Sequence, residues 1–482
     1  MLEERYLSHC VVCAPSEQLY VSYPRVLLGE ETSQSEIVSS IHHLFPDLLE
    51  DRGLPMRYFA NTKESAFRAL SAAFTQNSGE AAALRKLFSE LPEFAGRTEA
   101  LRRAADLSDE QIRDRSLLER YRGKELYLSP TKIETFYSCH FRYFCQYMLG
   151  ARERRAAEVD AMQYGSMMHR LFERMFAPLS PPVETLTDEA LSGILEREIG
   201  DYISQNMGGM EALSGRDRYR MQRMTTSATL LVRHVSEELS QSRFQPEQLE
   251  MRLGYGGDFP PLRIRSPQGN IVTVGGTVDR VDIYENERGT FVRVVDYKTG
   301  SKSFQLADVL YGLNLQMLIY LAALVESGEV LPAGVLYTPI ASPTATVDGS
   351  MSEAEVAKAA EKSLRMNGLI LSEAEIVTAM EDAAEGRFIP VKLKKDGSVA
   401  ASTSAVQAEQ LQAVLQHSKR LIATMADALM QGHVEAKPMM KNINSCGLCP
   451  YGSVCGREYS EKDVEKVKID REELLSLMGR SD

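Results

Sequence analysis

Cysteine is scarce: seven residues in 482, too few for a secreted scaffold held by disulfides. That count fits a reducing, cytoplasmic setting, where clustered thiols point to metal. Long apolar runs are missing too. No stretch reaches 18 consecutive apolar residues, so no membrane-spanning helix is expected. The opening "MLEERYLSHCVVC" has acids where a secretory signal needs a basic and then an apolar segment, so none is expected. No G-x-x-x-x-G-K-[ST] loop occurs, which removes the phosphate cradle of a P-loop ATPase. Excess positive charge is also absent. A net charge of −12 argues against a protein that coats nucleic acid non-specifically, though it leaves room for a local basic groove. No internal repeat is found.

What is present is an ordinary globular composition, 44% hydrophobic and 25% charged, in a chain long enough for two to four domains. In the first 125 residues, Glu17–Pro24 reads as a strand, Ser33–Phe45 as a helix, and Glu64–Leu101 as Ala/Leu-rich helix. A second unit starts at "YLSPTKIETFYSCHFRYFCQYML" (Tyr127–Leu149). Ser129 suits a helix cap, Pro130 the first helical position, and Thr131-x-x-Glu134 resembles a capping box. Ile133, Phe136, Tyr137, Phe141, Phe144 and Met148 then make one helical apolar face. Helices are expected over Tyr164–Phe176 and from Asp188 to Leu239. From Leu249 the period becomes strand-like, with "LEMRLGYG", "NIVTVGGTVDRVDIY" and "TFVRVVDYK" as three strands. Phe304–Val325 returns to helix, "AGVLYTPI" is a fourth strand, and residues 352–432 read as mainly helical.

The charged strands carry the chemistry. Alternate strand residues share a face, so Asp296 and Lys298 point the same way. A hairpin turn at "ENERG" (Glu285–Gly289) puts Asp279 opposite Asp296, although a slip of one residue would turn Asp279 to the other face. Two adjacent carboxylates repel, and a hard divalent cation such as Mg²⁺ resolves the conflict while keeping positions for water and phosphate. An isolated Asp-x-Lys would more often be the wet face of a surface hairpin.

Its neighbours change that balance. "GGTVDRVD" (Gly275–Asp282), "VVDYKTG" (Val294–Gly300) and "LQMLIY" (Leu315–Tyr320) follow in order, with "YGSMMH" (Tyr164–His169) upstream. They resemble the G-x-x-D-R-x-D, D-Y-K-T-G, Q-x-x-x-Y and G-x-x-x-H motifs of the RecB-type branch of PD-(D/E)XK nucleases. The resemblance implies an α/β, restriction-endonuclease-like core with a mixed central sheet flanked by helices. It also implies catalytic Asp279, Asp296 and Lys298, and Mg²⁺ (or Mn²⁺) bound by His169, Asp279 and Asp296. Gln316, Tyr320 and Glu250 would support them.

Near the C-terminus stands "SCGLCPYGSVC", with the spacing Cys446-x2-Cys449-x5-Cys455. Three thiolates fall one short of a tetrahedral zinc site or a cubane cluster. Cys139 and Cys145 both lie near enough in sequence to the core to supply a fourth, and helical geometry does not choose between them. A cysteine before such a core and a cluster after it resemble the iron–sulfur nucleases. That resemblance selects Cys139, Cys446, Cys449 and Cys455 for a [4Fe–4S] cluster, with zinc at the same cysteines as the alternative. Closing so long a loop would stabilise the fold by roughly 4–5 kcal/mol, in the manner of a disulfide. Cys10, Cys13 and Cys145 are then ordinary thiols.

"CVVCAPSEQLYVSYP" (Cys10–Pro24) resembles the last motif of UvrD-like helicase motors, with Cys13-Ala14-Pro15 where working motors carry T-R-A. A motor-like region without ATP chemistry, followed by an iron–sulfur nuclease, resembles the C-terminal part of the AddB (RexB-type) subunits of bacterial helicase–nucleases. The expected layout is an inactive helicase-like remnant over 1–125, a nuclease domain over 126–470 and a tail over 471–482. The implied function is metal-dependent exonuclease action on the 5′-ended strand at broken duplex ends, in recombinational repair. An AddA-type helicase–nuclease subunit would be the partner and single-stranded DNA the substrate. A stand-alone Cas4-like nuclease and a DNA-end-binding module with a lapsed nuclease are the alternatives.

Overall fold

The computed structural model describes residues 2–23, 26–27, 30–48, 61–105, 111–152, 161–177, 180–211, 213–300, 303–341, 352–440, 445–447, 449–455, 464–465, 467 and 469–480. The chain forms two compact units, 1–109 and 110–482. The first contains helices Leu2–Cys13, Glu36–Leu44, Lys63–Ala72, Gly79–Glu90 and Pro92–Ala105. Its core is a triad of rings, Phe67, Phe88 and Phe94, with centroids 4.9–5.1 Å apart and Leu70 beneath them. The strand expected at Glu17–Pro24 does not form over residues 17–23, and Pro24 lies outside the described residues. The strands described in this unit are Val26–Leu27 and Glu30–Glu31, which pair only with each other, so residues 17–23 have no ladder to join.

The second unit spans 110–482. Helix Arg115–Arg122 belongs to it, and the Tyr121 hydroxyl meets that of Tyr143 at 2.8 Å. Its main helices are α1 (Pro130–Ser138), α2 (Ala161–Met175), α3 (Asp188–Asn206), α4 (Gly215–Gln241), α5 (Gln316–Glu326) and α6 (Ala408–Met430). Its central sheet has six strands: β1 (Gln245–Leu253), β2 (Gly276–Asn286), β3 (Gly289–Lys298), β4 (Val330–Pro339), β5 (Asn367–Leu371) and β6 (Ala405–Val406). They lie in the order β6-β5-β4-β3-β2-β1. Pairs β1–β2, β2–β3 and β4–β5 are antiparallel, whereas β3–β4 and β5–β6 are parallel, which makes the sheet mixed. The parallel β3–β4 pair needs a crossover, and α5 supplies it.

Both faces of the sheet are covered, which is why β3 reads as a nearly continuous apolar run. Val292 and Val294 join the core shared with α5 and α6. Phe291, Val295 and Tyr297 point to the opposite face, where Tyr297 joins a second core with α2, α3 and α4, and Phe291 and Val295 join a third with Leu336 of β4 and Ile370 of β5. "NIVTVGGTVDRVDIY" divides at Gly275: Ile271–Val274 pairs with Leu126–Leu128 and Leu262–Arg265 in a small side sheet, and β2 starts at Gly276. A side chain at Gly275 would meet the Tyr127 hydroxyl at 2.1 Å, so only glycine fits there.

Further expectations are corrected. Residues 352–432 include the strands β5 and β6, the latter at the sheet edge, among their helices, because short apolar runs do not distinguish strand from helix. The helix expected over Phe304–Val325 is two, Leu306–Leu310 and α5, separated where Gly312 (φ 81°) and Asn314 (φ 55°) take left-handed backbone. The helix expected to run on through Cys139 breaks there at φ −173°, which shifts the buried face to Tyr143 and Cys145 in place of Phe141 and Phe144. The segment expected as a tail is helical over Arg471–Gly479, and Leu474, Leu475 and Met478 are buried in the main core.

Candidate active site

The hairpin register brings the sequence-derived acids together. Arg280 faces Val295 at the end of the β2–β3 ladder, so Asp279 and Asp296 stand at the next rung. On the other side of β2, Leu249 faces Arg280 and Met251 faces Val278, which places Glu250 beside Asp279. Asp296 in turn pairs with Tyr337 of β4. One rung therefore carries Glu250, Asp279, Asp296 and Tyr337 across four strands.

The rung is where regular pairing stops. The Tyr297 amide donates to Asp279 Oδ2 at 2.7 Å instead of continuing the ladder. Glu250 takes a left-handed φ of 47°, an unfavourable conformation for a residue with a Cβ, and one found where a side chain must be re-aimed. Helix α2 then brings His169 over this opening. Its Nδ1 lies 3.3 Å from Asp279 Oδ1 and 3.6 Å from Glu250 Oε1. Ligand atoms of His169, Glu250 and Asp279 all fall within 4.8 Å of one another, a donor set that suits a divalent cation.

Asp296 is deeper, its side chain 3% exposed, and stands outside that triad. Its Oδ1 accepts from Gln316 Nε2 at 2.8 Å, and its Oδ2 meets Lys298 Nζ. Lys298 Nζ also donates to Gln316 Oε1 at 3.4 Å. Gln316, Asp296 and Lys298 thus form a closed triangle beside the triad. Tyr320, one turn along α5, has its hydroxyl against Gly276: a Cβ there would lie 2.5 Å from it.

The electrostatics follow from this crowding. Burial pushes the Asp296 carboxyl up to about 6, and the Asp279 charge adds to the effect. Desolvation opposes a charged His169, but Asp279 and Glu250 outweigh it and raise the imidazole to about 10. His169 is the cation beside Asp279 and Glu250, as Lys298 is beside Asp296. The donor chemistry therefore fits a divalent ion that would displace the His169 proton.

Behind the rung lies a charge network in which the motif residues Arg280 and Asp282 meet two partners, Arg293 and Glu238, that the motifs did not announce. Arg280, Arg293, Glu238 and Asp282 are all fully buried. Glu238 bridges the guanidiniums at 2.9 and 2.6 Å, and Asp282 lies 2.9 and 2.8 Å from them on the other side. Arg280 also donates to the Tyr297 hydroxyl at 3.3 Å, which burial pushes up to about 12. Arg280 thus pairs with acids. The available signal was an arginine at 280 and another at 293 in strands buried on both faces.

The cysteine-bearing ends also meet. The Phe141 amide donates to the Glu435 carbonyl at 3.0 Å, His140 Nδ1 lies 3.0 Å from the Glu435 carboxylate, and Tyr451 donates to the Ala151 carbonyl at 2.7 Å. Cys139, Cys145, Cys446, Cys449 and Cys455 form no disulfide, and Cys145 is buried. Cys139 and Cys145 are each pushed up, first by burial, with Cys449 contributing to both. No three cysteine sulfurs lie within 4.8 Å of one another among the described residues.

A mixed sheet that sets Asp279 and Asp296 on one rung, with Lys298 two residues further along β3 against Asp296, is an arrangement that suits a nuclease. The family model described as PD-(D/E)XK nuclease superfamily matches residues 127–456, and the chain belongs to that superfamily. More particularly, it is similar to proteins named as the B-type subunit of an ATP-dependent helicase/deoxyribonuclease. That of Acetivibrio thermocellus is 33% identical over 416 residues, covering 82% of this chain and 36% of the relative. That of Clostridium tetani is 28% identical over 509 residues, covering 98% and 44%. That of Ruminiclostridium cellulolyticum is 29% identical over 515 residues, covering 100% and 44%. The chain spans less than half the length of these relatives.

Proposed function

We propose that the chain is the nuclease-bearing part of an AddB-type subunit of a helicase–deoxyribonuclease. It hydrolyses phosphodiester bonds of single-stranded DNA, on the 5′-ended strand of broken duplexes being processed for recombinational repair. The observation that carries this reading is the rung of Glu250, Asp279 and Asp296 with His169 above it and Lys298 beside it. His169, Glu250 and Asp279 would hold Mg²⁺, with Asp296 next to them. The bound ion would supply an activated water and neutralise charge on the phosphate. Lys298, held by Asp296 and Gln316, screens the negative charge that develops on the phosphate oxygens. The motor is supplied in trans by an AddA-type partner, this chain carries no ATPase activity, and the complex works in the cytoplasm.

Cys139, Cys446, Cys449 and Cys455 hold a [4Fe–4S] cluster that ties the ends of the nuclease domain together.

The test is incubation of 5′- and 3′-end-labelled single strands with the chain, in Mg²⁺ and in EDTA. Mg²⁺-dependent shortening from the 5′ end is expected. Binding with no degradation in Mg²⁺ would overturn the reading in favour of an end-binding module.

A further inference from the structure

Gln316 occupies its place because of how α5 begins. The first helical residues of any helix leave backbone N–H groups without intrahelical partners. At α5 no side chain of its own N-cap residue, Leu315, satisfies them. A carboxylate from another element does so for Leu315 itself: the amide donates to Glu134 Oε1 at 3.0 Å. Glu134 lies on α1, where its spacing from Thr131 resembled a capping box. The cap of α1 is instead Ser129, whose hydroxyl accepts from the Lys132 amide at 3.3 Å. Glu134 is directed to a partner 181 positions away.

A second contact joins the same elements. Gly312, at φ 81°, lies so close to Tyr137 that a Cβ would come within 2.1 Å of the ring. Tyr137 is one turn beyond Glu134, and its hydroxyl donates to the Leu421 carbonyl of α6 at 2.6 Å, which fixes the ring. The segment Gly312–Leu315 is therefore held at both ends by α1. Asn314 between them is buried, in left-handed backbone, and donates to Asp308 Oδ2 at 3.0 Å.

We propose that Glu134 is a positioning residue: through the Leu315 amide it sets the start of α5, and so the placement of Gln316 against Asp296 and Lys298. The proposal rests on the reading of Gln316 and Asp296 as site residues. A carboxylate at a helix N-terminus also favours the helix dipole, so one contact both orients and stabilises α5.

The test compares Glu134→Ala and Glu134→Gln in the full chain, by hydrogen exchange of peptides spanning 312–318 and by steady-state cleavage of single-stranded DNA. Glu134→Ala should speed exchange there and lower kcat roughly 10–100-fold, with KM changed less than about twofold. Glu134→Gln keeps an acceptor oxygen and should recover both to within about threefold. In a Gln316→Ala background, Glu134→Ala should cost less than about threefold more, because both act on one placement. Unchanged exchange in Glu134→Ala, or a fully additive loss with Gln316→Ala, would overturn the proposal. Should Glu134→Ala not fold, Glu134→Gln decides alone: a folded Gln variant with a tenfold lower kcat would overturn it. Asp296→Asn, assayed in parallel, separates the two readings. If it still cleaves, the nuclease reading falls. If it is inactive while Glu134→Ala cleaves normally, only the positioning role falls.

Discussion

Replacing Glu238 with alanine removes the carboxylate that bridges Arg280 and Arg293. Asp282 would then be the one carboxylate left to both guanidiniums among the described residues, with the Tyr297 hydroxyl still on Arg280, at full burial. Burial disfavours a charged Glu238, but Arg293 and Arg280 outweigh it and hold its carboxyl below the usual range. Removing one partner from a buried network leaves an uncompensated charge, which costs about 3–5 kcal/mol. For a unit spanning 110–482, with an unfolding entropy near ~2.1 cal/mol/K per residue, that corresponds to a Tm lower by roughly 4–6 °C, read by far-ultraviolet circular dichroism. The depressed carboxyl adds a pH signature. Its contribution is present above the unfolded value near 4.5 and is lost as pH falls through the lower native value, so the variant and parent should converge in strong acid. Replacing all four charges together, with Glu238→Leu, Arg280→Met, Asp282→Leu and Arg293→Met, should recover most of the loss, because a packed apolar set avoids desolvating ions. A Glu238→Ala shift under 2 °C, or a four-fold variant less stable than the single one, would refute the reasoning.

Gly276→Ala would drive a Cβ to 2.5 Å from the Tyr320 hydroxyl; it should cost about 1–3 kcal/mol in thermal unfolding, and Tyr320→Phe in the same chain should recover part of it. The His169 pairing contributes stability that is complete below its unfolded pKa of 6.5 and is lost as pH climbs towards about 10. A metal must displace that proton, so calorimetry at pH 7.5 in buffers of different ionisation enthalpy should show release of about one proton per ion; zero release would contradict the ligand role of His169. Cys446→Ser should abolish the broad absorption near 400 nm of anaerobically purified protein and lower its Tm, whereas colourless parent protein with stoichiometric zinc would refute the cluster.

The central hairpin was legible because one feature fixed it. A short turn at Glu285–Gly289 sets the register, and the observed pairing of Arg280 with Val295 places Asp279 and Asp296 where that turn implies. The motifs supplied the remaining site positions, but not their partners. Glu134 sits within a pattern that local rules read as a cap, and its long-range bond to Leu315 leaves no local trace. The break before α5 was hidden because Gly312 and Asn314 interrupt an otherwise continuous apolar face, and helices tolerate such residues singly. Glu250 was the weakest of the acids in the sequence, since its alignment with Asp279 depends on a left-handed φ that no glycine announces. The charge network behind the rung was illegible for a related reason: charged residues in a strand read as a wet face, and only helix α4, with Glu238, shows that this face is dry.

The most direct measurement is anomalous scattering from a crystal soaked in Mn²⁺. The account predicts one strong peak bound by His169, Glu250 and Asp279 at about 2.0–2.3 Å, lost in Asp279→Ala. No peak at saturating Mn²⁺, or one bound away from these residues, would contradict it.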